Sequence, residues 1–182
     1  MNVIWLERPV CVEQVAVGTV ESLWGAMFSA WHGDGLTRLG FVDGEAGVDD
    51  EMGRIRRAWE CEPAWLDASD PRLQNLDALL KQWPRIDGPS RPTLEMNGSV
   101  LQHNVWRTLL RLRMGETMTY GDIAQRLGTS RTARAVGRAV GANPVSVLVP
   151  CHRVLPAAGG AGHYAGGAER KKALLYTEGV IA

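Results

Sequence analysis

The sequence has few cysteines and lacks the spacings that serve in disulfide frameworks or zinc sites. Only Cys11, Cys61 and Cys151 occur in 182 residues, and no Cys-x-x-Cys pair is present. An odd number of widely spaced cysteines argues against a disulfide framework and a structural zinc cluster. Reduced thiols in a cytoplasmic protein are therefore expected, and one of them can be kept for its reactivity.

Long apolar runs are also missing. No stretch approaches the roughly 20 apolar residues that a membrane helix needs. The first residues, Met1–Pro9, lack the basic region and apolar run of a secretion signal. The sequence therefore predicts a protein without a membrane span or a leader. Apolar residues make up 45% and charged residues 22%, which favours a globular chain over a disordered one.

The formal net charge is zero, but the two halves differ in sign. Residues 1–90 hold 8 Lys and Arg against 15 Asp and Glu, a balance of −7. Residues 91–182 hold 12 against 5, a balance of +7. This asymmetry indicates that only the second half meets a polyanion, although drift in composition would produce the same numbers.

The first half has the pattern of a small α/β unit. Strands are predicted over Val10–Val20 and Leu36–Val42, the latter closed by an Asp-Gly turn. Helical spacing is found in Asp49–Trp59 and Pro71–Trp83, the latter with a stripe of four leucines. Residues 84–98 are rich in proline and glycine, which predicts a linker or an irregular strand between two lobes. This half carries no catalytic signal.

The second half is predicted to be mostly helical. Apolar residues recur at helical intervals over Leu101–Leu112, and Gly115 is expected to end that helix. Two short helices follow, Tyr120–Leu127 and Thr132–Gly141, with Ser130 as the expected N-cap of the second. Two short helices joined by a glycine turn have the outline of a helix-turn-helix, which by itself is weak support for DNA binding.

The second short helix alternates small residues with two arginines. Arg134 and Arg138 are four residues apart and share one face. Small side chains let a backbone approach another surface closely, and the arginines would attract phosphates. Equally, the small residues could pack on the neighbouring helix and leave the arginines solvated.

A candidate nucleophile follows a short apolar segment. The β-branched run Val145–Val149 predicts a buried extended segment that ends at Pro150, Cys151 and His152. A thiolate needs a nearby base or positive charge to form near neutral pH. Neighbouring side chains of an extended chain point in opposite directions, so His152 can serve Cys151 only through a turn or a bridging water.

Pro150-Cys151-His152-Arg153-Val154 resembles the active-site signature of the O6-alkylguanine-DNA alkyltransferases. The resemblance extends over Leu101–Gly179 in order and spacing. Its further motifs are Gly115-Glu116-Thr117-x-Thr119-Tyr120, Ala133-Arg134-Ala135-Val136-Gly137, Asn143-Pro144, Tyr164-Ala165-Gly166-Gly167, Glu169-Arg170-Lys171 and Leu174-Leu175-x-x-Glu178-Gly179. The first half resembles the family only in size and character.

The resemblance implies a Cys-His-Glu version of the catalytic triad. Cys151 would accept the alkyl group, His152 would take its proton through a water, and Glu178 would orient His152. Asn143 would brace the turn that holds the cysteine. Tyr120 would help to rotate the nucleotide out of the duplex and assist proton transfer to the leaving guanine.

The resemblance also implies a substrate pocket and a DNA-binding helix. The pocket residues would be Val154, through its backbone, together with Tyr164 and Pro150. The DNA contacts would come from Arg134, Arg138, Tyr120 and Ala133. Arg134 would fill the gap left by the extruded base, and the helix would enter the minor groove.

The implied architecture is α+β, with no cofactor and no metal. An N-terminal α/β lobe with a small antiparallel sheet (1–90) is followed by a connecting segment (91–98). A mostly helical lobe with the helix-turn-helix (99–182) completes the chain. The expected partner is double-stranded DNA containing O6-alkylguanine, with O4-alkylthymine as a further substrate. A cytoplasmic monomer that can cluster on DNA is expected.

The sequence departs from the family pattern at three positions. Ala165 stands where some members have a serine that bonds the O6 atom, so a backbone group must make that contact. Gly141 stands where some members carry another arginine, which weakens the expected DNA affinity. Leu101 lies near a position where relatives often have phenylalanine, a difference expected to affect packing only.

The remaining cysteines and histidines are not expected to form a reactive site or a metal site. Cys11 and Cys61 are expected to be ordinary small apolar residues. His32, His103 and His163 are expected to be surface groups rather than metal ligands.

The main alternative to an alkyltransferase is a non-catalytic lesion binder that recruits other repair factors, but such proteins have tryptophan in place of Cys151. A helix-turn-helix regulator and a cysteine hydrolase with an oxyanion hole are the remaining alternatives.

Overall fold

The structure, a computed structural model, describes residues 1–7, 14–85, 90–128 and 132–181. The chain forms two compact units, Met1–Asn97 and Gly98–Ala182. None of the helices in the described part is long and apolar enough to cross a membrane. Cys11 and Ser130, and the start of the strand predicted from Val10, lie outside the described residues.

In its described residues, the first unit forms a six-stranded mixed sheet and two helices. Its elements are β1 (Val3–Leu6), β2 (Ala16–Ser22), β3 (Gly25–His32), β4 (Gly35–Phe41), α1 (Gly44–Trp59), β5 (Ala64–Trp65), α2 (Pro71–Lys81) and β6 (Thr93–Asn97). The strand order is β1-β6-β4-β3-β2-β5. The three long strands β2, β3 and β4 pair antiparallel, whereas the short strands β1, β5 and β6 join in parallel. The sheet is thus mainly antiparallel, as expected, with parallel edges that the sequence did not indicate.

Strands β1, β3 and β5 were not predicted, and β6 was expected only as a linker or an irregular strand. Strand β3 is buried over most of its length on both faces, so it lacks the alternation of polar and apolar residues that marks a half-exposed strand. Strand β6 lies in the segment expected to connect the lobes, yet it pairs with β1 and β4 inside the first unit.

The helices of the first unit cover the sheet with their apolar faces. Met52, Ile55 and Trp59 of α1 belong to a core cluster with residues of β2 and β3. The predicted leucine stripe of α2 is fully buried. At Gly18 a Cβ atom would lie 2.7 Å from the Leu73 side chain, so the approach of α2 to β2 depends on glycine.

The second unit contains four α-helices and one short 3₁₀ turn among its described residues. They are α3 (Val100–Leu109), α4 (Tyr120–Arg126), α5 (Ala133–Gly141), the 3₁₀ turn Cys151–Arg153 and α6 (Ala168–Thr177). Strands β7 (Met118–Thr119) and β8 (Val154–Leu155) form a two-stranded parallel ladder. Helix α3 ends earlier than its apolar spacing predicted, and the Trp106 indole ties it to α5 by donating to the Ala139 carbonyl at 2.9 Å.

The pair α4 and α5 occupies the place of the predicted helix-turn-helix, and the two helices pack on each other. Thr119 caps α4 with a reciprocal hydrogen-bond pair to Asp122. The cap of α5 is Thr132, whose hydroxyl accepts from the Ala135 amide. The turn between the helices includes residues outside the described part of the chain, and the role of the pair in DNA binding stays a prediction.

Candidate active site around Cys151

Cys151 is the first residue of the 3₁₀ turn Cys151–Arg153, directly after Pro150. The residue is 7% exposed, so its sulfur lies below the surface at the end of a cavity. The Asn143 side-chain amide donates to Cys151 Sγ at 3.1 Å. Burial raises the pKa of the Cys151 thiol, while the Asn143 hydrogen bond and the Lys171 charge oppose that rise. The thiol therefore needs a base to become a nucleophile at neutral pH.

The prediction that Val145–Val149 is extended was wrong. The segment is buried as expected, but it forms tight turns, with Val149 N donating to Val145 O at 3.1 Å. Val147 adopts φ +70°, a left-handed conformation that is strained for a β-branched residue. A run of apolar β-branched residues indicates burial but does not distinguish a buried strand from a buried turn.

Asn143 holds this turned segment together. Its side-chain amide also donates to the carbonyls of Val145 and Val149, at 3.3 and 2.9 Å. Its side-chain oxygen accepts from the Val145 amide at 3.0 Å. One side chain therefore bonds both the strained turn and the reactive sulfur, so the position of Cys151 depends on Asn143.

His152 and Glu178 form a buried pair behind the cysteine. His152 is fully buried, and its Nε2 lies 3.1 Å from Glu178 Oε1. Burial lowers the pKa of His152 despite the neighbouring carboxylate. The ring is therefore neutral at pH 7, and a proton on Nε2 directed at Glu178 leaves Nδ1 as an acceptor. Nδ1 has no hydrogen-bond partner among the described residues.

Arg153 is a member of the site that the sequence analysis did not assign. Its side chain is almost fully buried and binds Glu178 through both carboxylate oxygens, at 2.6 and 2.9 Å. Another guanidinium nitrogen donates to the Leu112 and Arg113 carbonyls. Burial alone would raise the pKa of Glu178, but hydrogen bonds from His152 and Arg153 lower it to about 2. Glu178 is thus a permanent anion.

Lys171 is a second buried cationic residue, to which the sequence analysis gave no role. The residue is fully buried in α6, and its ammonium donates to the Val154 carbonyl at 2.6 Å. Burial lowers the pKa of Lys171, and the nearby Cys151 thiolate would raise it. Helical position alone could not have identified this lysine, because α6 also carries the exposed Lys172.

A cavity of about 300 Å³ opens from Cys151 to the surface. Helix α5 contributes Gly137, Val140 and Gly141 to its lining. Tyr120, at the start of α4, also lines it. Burial and the neighbouring Cys151 raise the pKa of the Tyr120 phenol, so it stays protonated at neutral pH.

The remaining lining residues come from two loops. The turn before Cys151 provides Asn143 and Ser146, and the loop before α6 provides His163, Tyr164 and Ala165. His163, expected to be a mere surface group, and Ser146, which was not singled out, are therefore site residues that the sequence analysis missed.

Two residues that the resemblance assigned to the substrate pocket are not among those that line this cavity, and their part in substrate binding stays a prediction. Pro150 and Val154 are buried on either side of the 3₁₀ turn. The Val154 side chain is fully buried and its carbonyl accepts from Lys171.

The outer face of α5 carries the residues expected to meet DNA. Ala133, Arg134 and Arg138 are exposed, while Val136 and Ala139 are buried against the rest of the unit. Ala139 packs inside the unit, which agrees with one of the two alternatives left open by the sequence, and Ala133 is exposed at the start of the helix; the approach of this helix to DNA stays a prediction.

Among the residues that the structure describes, the other titratable side chains form no second site of this kind. No group of three His, Cys, Asp or Glu side chains that could hold a metal is found within the described ranges. His32 pairs with Glu95 at 2.9 Å. The prediction that His103 is a surface group was wrong, because the residue is buried and its ring lies beside Trp106. Cys61 is a free, half-buried cysteine.

The sequence matches a known family model and several proteins of known name. Residues 100–180 match the family model described as the DNA-binding domain of 6-O-methylguanine DNA methyltransferase. A methylated-DNA–protein-cysteine methyltransferase of Mycobacterium tuberculosis is 48% identical over 161 residues, covering 88% of this chain and 90% of that protein. One of Shigella flexneri is 48% identical over 84 residues, 46% of this chain and 49% of that protein.

Solved structures agree with the sequence relatives. The M. tuberculosis O6-methylguanine methyltransferase has a TM-score of 0.68 at 32% identity, covering 90% of this chain and 92% of that one. The same enzyme in complex with DNA has a TM-score of 0.68 at 31% identity, covering 91% and 92%. These structures confirm the predicted α+β fold class.

Proposed function

The chain belongs to the methylated-DNA–protein-cysteine methyltransferase family, whose reaction is alkyl transfer in DNA repair, and from this premise we propose that Cys151 is the alkyl acceptor. The substrate is O6-alkylguanine in double-stranded DNA, and O4-alkylthymine is a second substrate. The observation that carries the proposal is the Cys151 sulfur at the buried end of a cavity, supported by Asn143 and backed by His152 and Glu178.

The transfer forms one bond and breaks one. Cys151 Sγ attacks the alkyl carbon, a carbon–sulfur bond forms, and the bond from that carbon to guanine O6 breaks with its electrons going to the base. The thiol proton leaves to His152 Nδ1 through a water, and the guanine anion takes up a proton supplied through the Tyr120 phenol. The product is a thioether, which has no leaving group for hydrolysis. Each molecule therefore acts once.

The charges around the sulfur support this proton path. Glu178 stays ionised and fixes His152 with Nε2 protonated, so that Nδ1 is the basic atom. The Asn143 hydrogen bond and the Lys171 ammonium stabilise the thiolate as it forms. Arg153 keeps Glu178 in place and positions His152 indirectly.

Access to the alkyl group requires the nucleotide to leave the stack. The O6 substituent inside a duplex cannot reach a sulfur that is 7% exposed, so we propose that the nucleotide rotates into the cavity, at a cost of a few kcal/mol. Tyr120 lines that cavity and Arg134 is exposed on the adjoining helix, where its side chain can fill the gap in the duplex. Entry from the minor groove suits the small residues at the start of α5.

Mass spectrometry after incubation with a duplex carrying one O6-methylguanine tests the proposal. The intact protein should gain the mass of one methyl group, located on the Cys151 peptide, and the gain should stop at one group per molecule. A second addition of substrate should add nothing. Tight binding without any gain in mass would favour the alternative function, recognition of the lesion without chemistry.

The two exposed arginines of α5 should differ in their effects. Arg134→Ala is expected to slow transfer from duplex DNA about 10- to 100-fold, and transfer from a single strand much less, because a single strand leaves no gap to fill. Arg138→Ala should instead lower affinity for any duplex and reduce the slope of log affinity against log salt by about 1. Single-turnover transfer rates measure the effect of Arg134→Ala, and binding titrations at several salt concentrations measure the effect of Arg138→Ala.

Arg57→Ala supplies the matched control for these variants. Arg57 is an exposed arginine of α1 in the acidic first unit, and its removal changes the net charge by the same amount. Transfer and salt dependence should stay as in the wild type. Equal effects of Arg57→Ala and Arg138→Ala would contradict a specific contact of α5 with DNA.

A further inference from the structure

The cavity at Cys151 has an exposed mouth and a buried inner end. Gly141, His163 and Ala165 are exposed and belong to the mouth. Ser146 and Cys151 are each 7% exposed and belong to the inner end. A base that enters from the surface therefore presents its O6 substituent to a space bounded by Ser146 as well as by the nucleophile.

This inner end carries two hydroxyl groups. The Ser146 side chain and the Tyr164 phenol both line the cavity, and the phenol oxygen is buried. The Ser146 side chain lowers the pKa of the Tyr164 phenol, which places the two groups close to each other. Burial, together with the nearby Cys151, nevertheless raises the pKa of the Tyr164 phenol well above its usual value. The phenol therefore remains a neutral hydrogen-bonding group.

The Asn143 side chain, which also lines the cavity, already has hydrogen-bond partners for its amide nitrogen and its oxygen. The Asn143 amide donates to Cys151 Sγ and to two backbone carbonyls, and its oxygen accepts a backbone amide. Ser146 and Tyr164 thus supply two hydroxyl groups to the cavity lining in addition to the Tyr120 phenol, which the proposed mechanism uses for the leaving guanine. A hydroxyl group on a bound substrate could exchange hydrogen bonds with the serine and the phenol, since each hydroxyl has one donor and two acceptor sites.

The geometry of displacement brings longer alkyl groups to this pair. Attack by sulfur places guanine O6, the reacting carbon and Cys151 Sγ in one line. Any further atoms of the alkyl group must then project sideways from that line. Ser146 and Tyr164 line the cavity together with Cys151, so they are available to contact those atoms.

We infer that Ser146 and Tyr164 form a specificity site that favours O6 adducts ending in a hydroxyl group, such as 2-hydroxyethyl, over apolar groups of the same size, such as propyl. The inference rests on the proposed function, because it concerns the group transferred to Cys151. A terminal hydroxyl can exchange hydrogen bonds with the serine and the phenol. A propyl group of equal length would instead leave these buried hydroxyls facing a methyl group.

Transfer rates from three duplexes test the inference. Each duplex carries one O6-methyl-, O6-(2-hydroxyethyl)- or O6-propylguanine, and single-turnover rates are measured for the wild type and for Ser146→Ala. The intrinsic reactivities of the adducts cancel when the hydroxyethyl-to-propyl rate ratio is compared between the two proteins. That ratio should fall about tenfold in Ser146→Ala, the effect of one net hydrogen bond.

Two further variants separate hydrogen bonding from shape. Tyr164→Phe removes the other hydroxyl and should lower the same ratio in the same direction. Ser146→Thr keeps a hydroxyl but enlarges the side chain, and it should retain the wild-type preference for hydroxyethyl over propyl even where both rates fall. A loss of the ratio in Ser146→Thr equal to that in Ser146→Ala would overturn the inference.

The methyl substrate distinguishes the failure of this inference from the failure of the proposed function. Methyl transfer by the wild type with the same hydroxyethyl-to-propyl ratio in wild type and Ser146→Ala would overturn the specificity site alone. Absence of methyl transfer by the wild type would overturn the proposed function and the inference with it.

Discussion

Cys151→Ser is expected to bind a duplex carrying O6-methylguanine with nearly wild-type affinity and to transfer no detectable methyl group. A serine hydroxyl is far less acidic than a thiol and is a much weaker nucleophile at neutral pH. The Asn143 hydrogen bond and the neutral His152 base, arranged for a thiol, cannot overcome that difference. The rate should fall by about ten-thousandfold or more, as when other enzymes lose their nucleophile.

Binding and transfer are measured separately in this test. Fluorescence anisotropy with the labelled duplex reports affinity, and intact-protein mass reports transfer. Cys61→Ser is the matched control, since Cys61 is a free cysteine outside the cavity, and it should behave as the wild type in both assays. Methylation of Cys151→Ser at another residue would refute the role of Cys151 as the acceptor.

Glu178→Gln should produce the largest loss of stability among single changes at the site. The substitution leaves the Arg153 guanidinium buried without its anion, although two backbone carbonyls remain as acceptors. Breaking a buried ion pair by removing one partner typically costs about 3–5 kcal/mol. Urea unfolding should show this loss, and transfer should slow as well because His152 loses the anion that orients it.

The buried pair of Glu178 and Arg153 also predicts how the free energy of unfolding changes with pH. The pKa of Glu178 falls from 4.5 to about 2 on folding, so its stabilisation is complete above pH 4.5 and is lost as the pH falls towards 2. This shift corresponds to about 3 kcal/mol. The difference in unfolding free energy between wild type and Glu178→Gln should therefore shrink as the pH falls through that range.

Glu169→Gln is the control for charge on the same helix. Glu169 pairs with Lys172 at the surface, and its side chain is 87% exposed. Such pairs contribute at most about 1 kcal/mol, so this variant should unfold nearly as the wild type does. A loss in Glu169→Gln as large as that in Glu178→Gln would show that net charge, and not the buried pair, sets the stability.

Local patterns in the sequence determined much of the secondary structure. The leucine stripe of α2 and the alternation of small and charged residues in α5 identify helices because burial of one face repeats every three to four residues. The same reasoning did not find β3, which is buried on both faces and therefore has no alternation. It also mistook the turn Val145–Val149 for an extended segment, because apolar composition reports burial and not backbone direction.

The family and the nucleophile were also readable from sequence, since Cys151, His152 and Glu178 lie in motifs whose order and spacing match the family. The tertiary structure alone decided how those residues are supported. Arg153 turns inward to bind Glu178, although the two lie 25 positions apart along the chain. Lys171 reaches the Val154 carbonyl, and Ser146 and Tyr164 line the same cavity. Such contacts join residues distant in sequence, and packing of the whole unit, rather than any local pattern, determines which polar side chains are buried together.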